Sequence, residues 1–342
     1  MTSPAPSRMT GVRPLWAVEG GRLEVTGTGF SVDPLPEVRV GGVPARLFSV
    51  STRALGITVP GGLEGGRTPI RIDSAPGETA YVDIGVPLAT GLHQVDNPAF
   101  DREGNLYVTF SGSRGQQAPV SIFRVRPDGA REPFVSGIPN PTSLTFDAEG
   151  RLHVSSRFDG TVYRIVPDGT TAVVASELGV ACGIAFDRDG VLFVGDRSGS
   201  ILRVEDGRAS TIATLPASIA AFHLAFGPDG SLFVTGPTLG SRDSVYRVSM
   251  AGEVDVVYGG FGRPQGLAFD EEGRLYVVDA LAGRGGLYRF ASDTSGEPEH
   301  LVEAGGLVGL AFSTEGTLAL ATSDTVYRLD AGVRGLLPFS RL

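Results

Sequence analysis

Lysine is missing from this chain: all 29 basic residues are arginine. That excludes chemistry built on a lysine amine, namely a Schiff base, a pyridoxal-phosphate anchor or a Walker-A phosphate loop. Cysteine occurs once, as Cys182, so neither an intrachain disulfide nor a cysteine-based zinc site can form. Positive charge is in deficit. The formal net charge is −9, which argues against a nucleic-acid surface, because such a surface must neutralise phosphates. No apolar run approaches membrane length, and the opening MTSPAPSRMTGVRPLW lacks the apolar core of a signal peptide. The expectation is a soluble cytoplasmic protein that engages neither nucleic acid nor membrane. A sustained 3.6-residue hydrophobic pattern is also missing, so helix should be scarce. No G-x-S-x-G nucleophile elbow is present.

What is present is a heavy load of turn formers, 49 glycines and 23 prolines in 342 residues, spread along the whole chain. They read as turns between short strands, and the length suits two domains. From residue 98 onward one unit recurs. An apolar pair ends in phenylalanine at Phe100, Phe146, Phe186, Phe226, Phe269 and Phe312. An arginine within a short apolar run recurs at Arg124, Arg164, Arg203, Arg247, Arg289 and Arg328. Both markers keep a period of roughly 40 to 45 residues, which with four strand-like runs per unit is the spacing of a propeller blade. The first turn of the unit reads DREG, DAEG, DRDG, GPDG, DEEG and STEG. An acidic or polar residue followed by glycine suits a turn closed by a left-handed residue between antiparallel strands.

Residues 10–86 break this period and read as about seven short strands, a small antiparallel sandwich. Within them the pair Gly20-Gly21, the run Gly27-Thr28-Gly29-Phe30, the stretch Val40 to Ala45 and Thr58 to Pro60 resemble the IPT/TIG family of immunoglobulin-like domains. That resemblance implies an accessory, binding or spacer module. The repeats resemble the six-bladed propellers of the NHL-repeat and senescence-marker/gluconolactonase group, through GLAFD-xx-G-xLYV and the IxRxxxDG run. The expected fold is all-β: an immunoglobulin-like (TIG) sandwich over 10–86 and a six-bladed β-propeller over 87–342. PLATGL (87–92) resembles the outer-strand runs FVSGI and VVASEL and is a candidate to close the ring on the last blade. GLLPF (335–339) competes for the same place.

In a propeller the connections between blades and the loops between second and third strands share one face. The resemblance implies a ligand site there. The gluconolactonase-like enzymes hold a divalent metal with glutamate, asparagine and aspartate, the latter two just before the first strands. The corresponding positions here are Thr142, Cys182, Phe222, Gln265 and Val308, none an acid or an asparagine. A cation such as calcium, magnesium, manganese or zinc would need a rebuilt set, from Asp96, Asn97 and Asn140, with Gln265 as a further oxygen donor. The competing view is that Asp96-Asn97-Pro98 and Asn140-Pro141 are turns entering strands.

His153 and His300 fall within strands and read as structural. His93 and His223 fall at channel-facing connections, and His223 is the candidate general base, because an imidazole titrates near neutral pH. Cys182 reads as a small buried hydrophobe. The arginine repeated once per blade reads as structural, bonding the turn aspartate or carbonyls between blades. Non-repeated arginines (Arg114, Arg157, Arg197, Arg242, Arg263, Arg284) fall on the loop face. With Gln265 and Asp279, the set Arg157, Arg197 and Arg263 forms a candidate ligand site favouring a small anion. Nearby aspartates can offset that charge. Two functions follow: a propeller that binds a small anionic molecule or a protein partner, with the first domain as accessory, or a metal-dependent lactone hydrolase.

Overall fold

A computed structural model describes residues 7–113, 118–166, 169–281 and 285–337. No helix occurs among them.

Nine strands between Arg8 and Ile84 form two sheets, one of four strands and one of five. Arg22–Thr28 alternates outward and inward side chains, as a strand with one wet face must. Its inward Leu23 and Val25 meet Leu55, Ile57, Val40, Ile70 and Val82 in a closed apolar core between the sheets. One pairing departs from the antiparallel expectation: Trp16–Ala17 runs parallel to Ala80–Ile84.

Among the described residues from Val86 onward the chain makes six four-stranded antiparallel sheets. The inner strands of the complete copies run Pro141–Phe146, Ala181–Phe186, His223–Phe226, Pro264–Phe269 and Leu307–Phe312, and the compressed first copy gives Ala99–Phe100. Second strands such as Leu152–Ser156 and Leu275–Asp279 are buried on both faces. Outer strands such as Thr171–Ala175 alternate. Each blade therefore buries its middle between two neighbours, and separate apolar clusters fill the gaps from blade to blade.

The recurring turn explains its own sequence. In Asp101, Asp147 and Asp187, one carboxylate oxygen accepts from the main-chain N–H groups two and four residues on. Ser313 does the same with its hydroxyl. The closing glycine takes a positive φ each time, as at Gly150 (78°) and Gly316 (89°).

The ring closes on the earlier candidate. Val86–Ala89 pairs with Val326–Asp330 as the outer strand of the sixth blade. GLLPF does not take that place. Its described residues cross instead the end of the channel where the inner strands finish in phenylalanine: Leu336 N–H donates to Phe269 O at 2.9 Å, and Gly335 bridges Asp270. Leu336 packs with the Phe233–Phe269 cluster and Leu337 with the Tyr107–Phe146 cluster, so two adjacent residues reach opposite sides of the ring.

The sandwich sits directly on the ring. Gly85 alone separates its last strand from the closing strand. Val18 is buried in the cluster between the fifth and sixth blades, with Tyr276, Leu307 and Leu318.

Candidate functional site

Three residues before the terminal phenylalanine, the inner strands of the complete blades carry Ser143, Gly183, His223, Gly266 and Gly309. Asn97 takes this place ahead of the first blade. Gly266 and Gly309 are needed because the segment through Asp96 and Asn97 crosses the channel here, whereas at Gly183 the close neighbour is Phe222 O. A Cβ on Gly309 would lie 2.7 Å from Asn97 Cα and from Asp96 O, and one on Gly266 would lie 2.0 Å from Asn97 Oδ1. Asn97 fastens the crossing: its Nδ2 donates to Leu267 O at 2.9 Å and its Oδ1 accepts from Leu310 N at 3.0 Å.

His223 is the one large side chain in this ring, and it is fully buried. Its Nδ1 lies 2.5 Å from Asp96 Oδ1 and its Nε2 lies 3.0 Å from Gln265 Oε1. Both nitrogens are taken up by neighbours, and neither faces open space. The second Asp96 oxygen, Oδ2, is buried and has no hydrogen-bond partner among the described residues. Gln265 is anchored from behind, since Thr235 Oγ1 donates to its carbonyl at 2.5 Å. Ser155 makes the equivalent bond to Cys182 O across another blade boundary.

The Cys182 thiol lies in the same neighbourhood. Burial pushes its pKa up to about 12; Asp96 adds to this, and the charges of Arg157 and Arg197 oppose it. Arg157 Nη2 donates to Ser111 Oγ at 3.2 Å. Arg197 donates from Nε to Ser218 O at 3.2 Å and from Nη2 to Ile219 O at 3.1 Å. The structure thus brings Asp96, Arg157 and Arg197 near enough to Cys182 for their charges to act on it, and His223 joins Asp96 to Gln265.

It places the other candidates elsewhere. Asn140, at φ 44°, turns its Nδ2 onto Ser111 O and Ser113 O and holds the loop of the first blade. Asp279 caps a connection, accepting from Arg263 N at 2.7 Å and Gly262 N at 3.1 Å. Arg263 is exposed at that same turn. Arg114 and Arg284 lie outside the described residues. Of the proposed oxygen donors, Asn97 has both ends of its amide on main-chain groups, and Asn140 turns its amide nitrogen onto the first blade's loop. Among the described residues no group of three or more His, Cys, Asp or Glu side chains could hold a metal.

His153 occupies an interblade slot that other blades fill with Tyr107, Phe193, Phe233 and Tyr276, each facing the repeated arginine of its blade. That arginine has more than the two partners expected. Arg247 reaches Asp229, which lies within its turn but two residues past the place of Asp101 and Asp147, and Arg328 Nη1 donates to Pro127 O of the neighbouring blade at 3.4 Å. Arg124 and Arg289 instead pair with Glu132 and Glu299 on their outer strands.

The His223–Asp96 pair was not evident from sequence, because the two residues lie far apart along the chain. A signal existed nonetheless: aligned on their phenylalanines, the inner strands of the complete blades carry small residues at this place except for one histidine.

No family model and no curated protein matches the chain. Solved structures do. A gluconolactonase from Xanthomonas campestris is 17% identical, with TM-score 0.56 over 71% of this chain and 88% of that one. An auxiliary nutrient binding protein from Bacteroides ovatus is 13% identical, with TM-score 0.54 over 95% and 98%. Virginiamycin B lyase from Staphylococcus aureus is 15% identical, with TM-score 0.52 over 86% and 98%. At these identities the likeness is one of fold, and the fold is that of β-propeller proteins.

Proposed function

We propose that this chain is a ligand-binding propeller that takes a small anionic molecule, a carboxylate or phosphate, at the polar mouth of its channel. The observation that carries this reading is the pair of guanidiniums, Arg157 and Arg197, each held by bonds to a neighbouring loop and both near enough for their charges to act on the Cys182 thiol. Guanidiniums fixed in place before a ligand arrives lose little freedom on binding an oxyanion and can meet it with charge-assisted bonds. His223 has both nitrogens engaged, which favours binding over proton transfer.

The N-terminal sandwich is read as an accessory module of the IPT/TIG kind. Its glycine-rich turns and its two sheets around one core support that assignment.

The metal-dependent lactone hydrolase remains the competing activity, and it draws support from likeness of fold alone. One titration series separates the two. Inorganic phosphate, succinate and citrate are titrated calorimetrically into the purified chain, its Arg157→Ala and Arg197→Ala variants, and the double variant. At least one probe should bind, about tenfold more weakly in each single variant. Binding unchanged in the double variant would overturn the assignment. So would one bound divalent ion per chain whose removal by Asp96→Ala abolishes lactone turnover.

A further inference from the structure

The channel has a second chamber at its other end, where the inner strands finish in phenylalanine. The cavity measures about 240 Å³. Its walls are the apolar pairs of those strands, from Leu144 with Phe146 round to Leu310 with Phe312. Ala225 and Ala268 line it and are only half-buried. Leu336 and Leu337 form its far side. An apolar cavity of about 150 Å³ in another protein admits benzene, so this one has room for a somewhat larger organic body.

One feature of the lining does not suit an empty apolar space. Asp96 lines the chamber, is 2% exposed, and keeps Oδ2 buried without a partner. Its other oxygen is already used by His223 and by the N–H of Asn97. The other polar side chains of the lining have bonds elsewhere: Asn97 to Leu267 and Leu310, Ser143 Oγ to the N–H of Ile184, Thr145 Oγ1 to Phe146 O, Asp187 to its own turn, and Arg188 to Asp229 O. A buried acceptor of this kind calls for a donor from outside the fold.

We propose that this chamber binds a compact apolar molecule carrying one hydrogen-bond donor, an amine, alcohol or phenol, with the donor on Asp96 Oδ2 and the apolar body among the leucine and phenylalanine side chains. The site differs from the guanidinium mouth in position and in ligand chemistry, so each can fail without the other.

The test compares 2-phenylethylamine, 2-phenylethanol and ethylbenzene by calorimetry and thermal shift on the full chain. The amine or the alcohol should bind about tenfold or more tightly than the hydrocarbon, as expected for a bond to a carboxylate. Ala268→Leu and Ala225→Leu, each checked for an unchanged melting profile, should remove that binding by filling the chamber. Asp96→Asn should bring the donor-bearing probes to the hydrocarbon's affinity, and the two alanine variants decide the matter if Asp96→Asn fails to fold. The proposal is overturned if ethylbenzene binds as tightly as the other two, or if filling the chamber changes nothing. It is equally overturned if none of the three binds at about 1 mM, which would mean that water alone meets Asp96.

Discussion

At the scale of single residues, burial decides chemistry more firmly than residue type. Burial pushes the pKa of His153 down to about 4, against a weaker opposing pull from Asp147. Its Nδ1 faces Arg151 O at 3.0 Å, so the neutral ring is held as the Nδ1–H tautomer. The unfolded chain binds this proton near pH 6.5 and the folded chain only near 4. Stability from this residue is therefore full above pH 6.5 and lost as pH falls toward 4, about 3 kcal/mol in all. Urea unfolding between pH 7.5 and 4.5 should show this loss, and His153→Phe, which copies Phe193 and Phe233, should flatten it. The Cys182 thiol is held protonated by the same physics. It should resist an aromatic disulfide reagent at pH 8 in the native state and react fully once unfolded. The structural role of His153 was legible because it lies inside a repeated run. The placement of His223 was half-legible: its channel position followed from the repeat. Its partner Asp96 did not, because residues 93–98 depart from the repeat and take their path from tertiary packing.

At the scale of strands and turns, the repeat carried most of the fold. Phenylalanine, turn aspartate and arginine recur because each blade solves the same local problem: a capped turn, a doubly buried second strand and a half-wet outer one. The closure was open to two readings because PLATGL and GLLPF are both short apolar runs with turn residues beside them. Position settles it. Val86–Ala89 meets the free edge of Val326–Asp330, while the strand before GLLPF already leads Leu336 and Leu337 across the phenylalanine end of the channel. A chain beginning at Thr90 should therefore leave the sixth blade with an open edge. It should lose several kcal/mol of stability in urea, and it should elute as associated species on size exclusion where the full chain does not, at equal concentration.

At the scale of the molecule, a single glycine links sandwich to ring and Val18 packs into the ring's own core, so the two should unfold as one body. Calorimetry should give one cooperative transition, and Val18→Asp, which buries a charge in the joint, should split it in two. The closing strand has a further consequence, in time rather than in space. Val86 pairs with Arg328, so a strand made early in synthesis waits for nearly the whole of the ring to emerge before it finds its neighbour. Until then its backbone groups and those of the unfinished blades stay open to wrong partners. The already folded sandwich, joined through one residue, would hold that waiting strand close to the place where the last blade arrives.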